Sequence, residues 1–265
     1  MTALTFCPTR SALRSTLAAA ALTVTCSAGW AALPEFTINP TGAGLTGSTA
    51  TADNFIVSNY STTFVTGNSF TNTGYLAVEA LQLAGSIAPT PGLNSSYGLY
   101  VAFNATGTVT PVGAPLPAGS TFGTFSSLSY TLYGYNGAPA TFGFSGNTPT
   151  VTGAGSPVAL ATGSLIEGTV SSIGVVPSAN ATLSFTPTAA GSTFFTSPTP
   201  FYMSAETSFT NTSTNVTTFS GGFRVSQGGG LLNFVPSAVP EPETYALMLA
   251  GVAGLGVFGR RRRED

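Results

Sequence analysis

The chain has 265 residues, of which only seven arginines and nine acids are charged, and it contains neither lysine nor histidine. Without imidazole or lysine side chains, the sequence excludes a Ser-His-Asp hydrolase, a lysine-dependent P-loop enzyme and a histidine-ligated metal site. The central part holds five acids and a single arginine, so it lacks the basic surface that nucleic acid requires. We therefore expect no cofactor, no metal and no nucleic-acid partner.

The first part of the chain, residues 1–31, is typical of a secretory signal peptide. Two arginines give it a positive start, and residues 17–24 (LAAAALTV) form a short apolar stretch. Small residues then precede a predicted cleavage site between Ala31 and Ala32. Both cysteines of the chain lie inside this segment. We therefore expect an exported mature protein without a disulfide or a thiolate metal site.

The central part, residues 32–238, has the composition of an all-β domain. The chain holds 71 serine and threonine residues, 32 glycines and 18 prolines, and these residue types suit strand surfaces and turns. Larger apolar residues alternate with small or polar ones at 97–104, 128–132 and 201–209, and turn-forming residues separate these runs. The spacing predicts a single antiparallel β-sandwich or jelly-roll-like domain.

Two local patterns in this domain predict particular structures. Residues 75–84 (YLAVEALQLA) have the propensity of a helix, but we favour a strand, because apolar residues occupy both of its alternating faces. Asn136-Gly137 stands between two strand-like runs. This dipeptide predicts a type I′ hairpin turn that joins the two runs.

Few ionisable groups remain in the domain to support catalysis. Glu79 shares a predicted strand face with apolar residues, and a buried glutamate there would need Arg224, the one cation of this segment, as its partner. We favour a structural role for Glu79. The alternative is a glycosidase-type carboxylate pair of Glu79 with Glu167 or Glu206. The Asp53-Asn54 sequence favours a turn over a calcium site. Because the domain has so few ionisable groups, we expect that the protein is not an enzyme.

Tyrosine side chains offer a second kind of candidate site. Tyr100, Tyr133 and Tyr135 are predicted to face outward on their strands. Exposed tyrosine rings can stack on sugar rings, whereas cross-strand packing is their commoner use, and both alternatives stay open. Asn-x-Ser/Thr sequences such as Asn59-Tyr60-Ser61 arise freely in this composition, and we assign no glycan to them.

The C-terminal segment, residues 239–265, combines a proline-rich motif (239–244), an apolar helix (245–259) and an arginine cluster. The motif residues are Pro240, Glu241 and Pro242, and the cluster residues are Arg260, Arg261, Arg262 and Arg263. Fifteen apolar residues at about 1.5 Å each span only about 22 Å, less than the roughly 30 Å of a bilayer core. We therefore predict a short, strained membrane helix whose arginines stop transfer on the cytoplasmic side.

This order of parts resembles the PEP-CTERM sorting signal of Gram-negative bacteria that make exopolysaccharide. The resemblance implies that an exosortase, a membrane-embedded transpeptidase-like enzyme, recognises Pro240, Glu241 and Pro242 and removes the tail. It also implies transient anchoring in the inner membrane and export to the cell surface or extracellular matrix. The alternative is an ordinary single-span anchor. A glycosylphosphatidylinositol tail is excluded, because such tails end in apolar residues and this one ends in charged residues.

Two further segments are similar to a narrower group within these proteins. Residues 33–40 (LPEFTINP) and 51–55 (TADNF) resemble the flocculation-associated PEP-CTERM proteins of floc-forming bacteria. This resemblance implies a matrix or cell-surface structural protein that acts with exopolysaccharide to aggregate cells in flocs or biofilm. The implied partners are an exosortase, the polysaccharide and neighbouring copies of the chain. The alternatives are a secreted carbohydrate-binding module and a glycan-active enzyme.

Overall fold

A computed structural model describes residues 32–236 of the chain. Ala32 is therefore described, whereas Ala31 and the rest of the predicted signal peptide lie outside the described residues. The predicted sorting segment, with its motif, apolar helix and arginine cluster, also lies outside them. In residues 32–236, no helix has the length and apolar character needed to cross a membrane.

The described residues form sixteen strands and little helix. The first eight strands are β1 (Phe36–Ile38), β2 (Ala50–Ala52), β3 (Asn54–Thr66), β4 (Ser69–Leu83), β5 (Ser86–Ile87), β6 (Tyr97–Pro111), β7 (Thr121–Asn136) and β8 (Thr141–Ser145). The others are β9 (Thr148–Thr152), β10 (Val158–Ile173), β11 (Val176–Ser184), β12 (Thr186–Pro187), β13 (Phe195–Ser197), β14 (Ser204–Thr210), β15 (Val216–Phe219) and β16 (Gly222–Val235). One α-helix, α1 (Ala189–Phe194), and two 3₁₀ turns, Pro40–Ala43 and Ser213–Asn215, complete the domain.

Eight of the strands form a closed antiparallel sheet. Its order is β3-β4-β6-β7-β10-β11-β14-β16, and β16 pairs in turn with β3. Every neighbouring pair is antiparallel, and tight turns join β3 to β4 and β10 to β11, whereas longer segments make the other connections. This finding confirms the predicted all-β class with a single antiparallel domain, and it adds that the main sheet closes on itself and leaves no free edge in the ring.

One end of the closed sheet is filled by large apolar side chains, and we call it the plugged end. β1, β2 and β13 form a small separate sheet, and their residues pack with α1 against the interior. The buried residues that define this end are Phe36, Ile38, Phe55, Phe194 and Phe234. Alternation along the strands directs these side chains inward, and their burial supplies the main stabilisation of the domain.

The strand favoured at 75–84 is confirmed, because β4 spans Ser69–Leu83.

The prediction that Glu79 shares a face with buried apolar residues is wrong. A bulge in β4 pairs Ala80 with Ile56 and Val78 with Val57, so Glu79 is the extra residue and its side chain is exposed. A bulge reverses the alternation of the strand that contains it. Glu79 consequently needs no buried cation as a partner.

The predicted hairpin at Asn136-Gly137 is also wrong. Gly137 does have a positive φ of 113°, but β7 pairs with β6 and β10, while β8 pairs with β9. The Asn136 side chain instead accepts the backbone N–H of Thr46 at 2.7 Å and donates to the carbonyl of Gly44 at 2.8 Å. In the closed sheet both edges of β7 are already paired, with β6 and β10. The turn at Asn136-Gly137 therefore leads into the separate β8–β9 hairpin.

Candidate functional site

The half of the closed sheet opposite the plugged end contains a cavity. Its volume is about 430 Å³, which lies within the roughly 300–1,000 Å³ of small-ligand pockets and exceeds the space of a single water. Inward-facing residues of all eight ring strands line it. Phenylalanine rings form much of its apolar wall: Phe70, Phe103, Phe125, Phe209 and Phe223.

Four buried polar atoms in this cavity have no hydrogen-bond partner among the described residues. They are Oδ1 of Asn59, Oγ of Ser61, Oδ1 of Asn72 and Oδ1 of Asn211. The amide of Asn211 is oriented by its Nδ2, which donates to the carbonyl of Pro177 at 2.6 Å. The Nδ2 of Asn72 donates to Thr63 Oγ1 at 2.7 Å. Buried polar atoms in proteins nearly always have a partner, so these four atoms set the lining of the cavity apart from the rest of the described interior.

The cavity is also free of formal charge. None of the described residues that line it is an aspartate, a glutamate or an arginine. Its polar character therefore comes from amides and hydroxyls alone. Such a lining accommodates a neutral polar molecule, because a buried ion without a counter-ion carries a large desolvation penalty.

The mouth of the cavity lies at the end of the sheet that we call the open end. Several turns reach this end, and the turn residues that line the cavity are Gly119, Gly174, Val175 and Gly221. Val175 is 56% exposed, so the cavity communicates with solvent between these turns. Glycine at 174 and 221 permits the positive φ angles, 61° and 84°, that these turns require.

The last described residues lie at the opposite end of the sheet. β16 begins with Gly222 beside the cavity and ends with Phe234 and Val235 at the plugged end. Its fourteen residues at about 3.3 Å each give a strand of roughly 45 Å. The mouth and the last described residue, Pro236, are therefore separated by the length of the closed sheet.

The predicted outward tyrosines do face outward, but another part of the chain covers them. The β8–β9 hairpin (141–152) packs over Tyr100, Tyr135 and their neighbours, and Tyr100 is only 5% exposed. The rings of Tyr100 and Tyr133 stack with centroids 5.2 Å apart, and Phe142 of the hairpin lies 6.0 Å from Tyr100. Of the two alternatives, the structure therefore supports cross-strand packing over an open stacking platform for sugars.

Burial of tyrosine hydroxyls predicts a pH-dependent loss of stability. Burial, with a smaller contribution from Tyr133, Tyr75 and Tyr135, raises the pKa of Tyr100 to about 12, and burial alone raises the pKa of Tyr97 to about 12. Because these values exceed the usual 10, the neutral rings stabilise the fold below pH 10, and this stabilisation is lost as pH rises through 12. We expect delayed tyrosinate absorbance, with unfolding seen by circular dichroism over the same range. Titration of every tyrosine near pH 10 in a folded chain would contradict this expectation.

Arg224 holds the tip of the β8–β9 hairpin. Its Nη1 donates to the carbonyl of Gly146 at 2.8 Å, and its guanidinium lies 5.4 Å from the centroid of the Phe144 ring. Thr62 Oγ1 donates to the carbonyl of Asn147 at 2.6 Å beside it. Arg224 is thus a structural residue, although its partner is the hairpin and not Glu79.

An Arg224→Ala variant is expected to loosen this hairpin. Loss of a charge-assisted hydrogen bond and a cation–π contact costs about 1–2 kcal/mol in a half-buried setting. Hydrogen exchange should accelerate in Thr141–Ser145 and Thr148–Thr152 while β3 and β4 stay protected. Arg224→Gln, which retains an N–H donor, serves as the control with an intermediate effect. Unchanged exchange in the hairpin of Arg224→Ala would exclude this role.

The predicted carboxylates are only partly brought together. Glu167 and Glu206 pair with Thr182 from either side, so they lie two strand spacings, about 10 Å, apart. Both side chains are exposed, whereas the acid of a glycosidase lies in a shielded pocket. Glu79 lies on a different strand, β4. Asp53 is buried and accepts from Ala84 N at 2.6 Å and Asn54 Nδ2 at 2.9 Å, which is a structural use.

Sequence reasoning misses the polar residues of the cavity. Asn59 stands out in the sequence only as part of a glycosylation-like triplet, but in the structure it is 8% exposed. Its alternation with Val57 and Ser61 on β3 is a signal that could have placed it inside the sheet. Asn72 alternates with Phe70 on β4 in the same way. Asn211 gives no such signal, because it follows the end of β14 and only the closed sheet brings it to the cavity.

Together, these observations define an antiparallel β-domain with a closed sheet and a cavity lined by uncharged residues. Comparison with known families adds the destination of this domain: residues 238–263 match the PEP-CTERM protein-sorting motif. This match confirms the predicted sorting signal, and the chain is an exosortase-sorted protein of the cell surface or extracellular space. No curated protein and no solved structure matches the chain.

Proposed function

We propose that this protein is a non-enzymatic matrix protein that associates with exopolysaccharide and promotes cell aggregation in flocs or biofilm of a Gram-negative bacterium. The observation that carries the proposal is an outer surface nearly without charge. Of the six charged residues at 32–236, Asp53 is buried and Arg224 is engaged with the hairpin. The four exposed ones are Glu35, Glu79, Glu167 and Glu206.

Such a surface suits contact with a sugar polymer. Threonine and serine residues cover much of the outer face of the strands, as in Thr106 and Ser127, whose hydroxyls are 2.7 Å apart. Hydroxyl and amide groups form many individually weak hydrogen bonds with sugar hydroxyls or with neighbouring copies of the chain. These contacts resist salt, because ionic screening acts on charged groups.

Two measurements test this proposal. Deletion of the gene in a floc-forming host is expected to abolish flocs, and re-expression of the chain should restore them. The exported protein should also cosediment with the host polysaccharide equally well at low and high salt. Normal flocs after deletion, or release of the protein by salt, would refute the proposal.

One observation supports the second candidate function, a carbohydrate-binding module. The cavity at the open end has the volume of a small-ligand pocket, and a module would need only such a site for its function. A module binds polysaccharide but leaves flocs intact when its gene is deleted. If the protein were instead a glycan-active enzyme, the purified protein would shorten the polysaccharide. A Glu167→Gln variant should then lose that activity.

A further inference from the structure

We propose that the cavity at the open end binds one neutral, hydroxyl-bearing sugar ring at the end or branch of a polysaccharide. This inference rests on the proposed function and names the ligand and the place where it binds. The cavity is distinct from the outer surface, so the two claims can fail separately. The residues that indicate the ligand are Asn59, Ser61, Asn72 and Asn211, each of which has a buried polar atom without a partner among the described residues.

Three of these atoms are amide oxygens, which accept hydrogen bonds but cannot donate them. Asn59, Ser61 and Asn211 are each at least nine-tenths buried, so bulk solvent does not satisfy them. The fourth atom, the hydroxyl of Ser61, both donates and accepts. A ligand that reaches these atoms through small shifts of the lining side chains needs several O–H or N–H donors close together, which is the arrangement of hydroxyls around a sugar ring.

The absence of charge among the described lining residues restricts the ligand further. Anions such as phosphates or uronates would face oxygen lone pairs with no cation to pair with. A cationic ligand would be buried without a carboxylate, at a large desolvation cost. Only a neutral donor-rich molecule satisfies the oxygen atoms without this penalty.

The apolar wall accounts for the rest of the ligand surface. Phe70 and Phe125 pack edge to face with centroids 5.7 Å apart, and Phe209 and Phe223 line other parts of the wall. A sugar ring presents C–H groups on its faces and hydroxyls at its rim. The C–H faces of the ring would pack against the phenyl rings of the wall. The hydroxyls at its rim would face the oxygens of the asparagine and serine side chains.

The position of the mouth makes it accessible to a polymer outside the cell. The open end lies a sheet length from Pro236, where the chain continues toward the sorting motif. Exposed apolar residues lie near the open end: Phe64, Phe122, Ile173 and Val175. These side chains provide further contacts for sugar units that follow the one inside the cavity.

The test is a nuclear magnetic resonance titration of the exported protein with single sugars. The probes are the methyl glycosides of glucose, galactose and mannose, with glucuronate, glucosamine and octanoate as charged or apolar comparisons. At least one neutral glycoside should shift signals of Asn59, Asn72 and Asn211, and the charged and fatty probes should not. Asn59→Leu and Asn211→Leu should each weaken binding about fivefold to tenfold.

Asn59→Leu should keep or raise the melting temperature, because replacement of a buried amide that makes no side-chain hydrogen bond among the described residues by an apolar group of similar size is neutral or stabilising. Asn211→Leu also removes the hydrogen bond from Nδ2 to the carbonyl of Pro177, so this variant should have a lower melting temperature. Asn54→Leu is the control for Asn211→Leu. It also removes a buried Oδ1 without a partner and one hydrogen bond from Nδ2, here to Asp53, but Asn54 does not line the cavity, so sugar binding by the folded variant should stay unchanged. Loss of binding in a folded Asn59→Leu variant is therefore assigned to the cavity.

Three results would overturn the inference. They are a cavity that holds water only and responds to no probe, preferential binding of a charged or fatty probe, and sugar-induced shifts confined to the outer face of the sheet. If cosedimentation with polysaccharide persists under any of these results, the cavity assignment fails while the proposed function stands. If cosedimentation also fails, the proposed function fails independently.

Discussion

A Phe234→Ala variant is expected to lose about 3–5 kcal/mol of unfolding free energy. Phe234 is fully buried on β16, the strand that closes the sheet against β3. Six aromatic rings surround it with centroids between 4.8 and 6.1 Å away: Phe36, Phe55, Phe185, Phe195, Phe201 and Tyr202. A cavity at this position removes contacts from both the main sheet and the small sheet that covers it.

This loss is a large part of the roughly 5–15 kcal/mol that stabilises a typical domain. Urea unfolding followed by circular dichroism measures it, and the amount of exported protein should fall in parallel. Phe64→Ala is the control, because Phe64 is 45% exposed and contacts mainly Phe219. It should cost less than about 1 kcal/mol. Equal effects of the two variants would show that the plugged end is not the stabilising core.

Replacement of Pro240, Glu241 and Pro242 by alanine should prevent release of the protein from the membrane. These residues lie inside the matched sorting motif, so an exosortase that reads them would leave the tail attached. We expect nearly all of the chain in the membrane fraction with residues 239–265 intact, whereas the natural chain is recovered outside the cell without them. Mass spectrometry of the C-terminal peptide distinguishes the two forms.

Two further variants separate recognition of the motif by the exosortase from retention of the chain in the membrane. Pro236→Ala changes a proline just before the matched residues and should leave release unchanged. Replacement of Arg260, Arg261, Arg262 and Arg263 by serine removes the stop-transfer charges, so the chain should escape with its tail uncut. Normal release of the triple alanine variant would exclude the Pro-Glu-Pro residues as the recognition element.

The patterns that sequence reasoning interprets correctly are local ones. The sorting signal is a continuous run of residues, so its order of proline, apolar and arginine segments is visible without any fold. The strand class follows from alternation and composition, and β4 was predictable because apolar residues mark both of its faces. The errors at Glu79 and Asn136 have one cause. Each depends on how neighbouring strands pair, through a bulge for Glu79 and through closure of the sheet for Asn136.

By itself, therefore, the sequence determines an exported, nearly uncharged β-protein with a sorting signal at its end. The tertiary structure alone decides that the main sheet closes, that a hairpin covers the outer tyrosines and that the interior divides into a plugged end and a cavity. Asn59 and Asn72 lie on the consecutive strands β3 and β4, whereas Asn211 follows β14 much later in the chain. The register of the strands brings Asn59 and Asn72 to the inner face, because a shift by one residue would move each side chain to the opposite face. Closure of the sheet then brings Asn211, at the end of β14, to the same cavity.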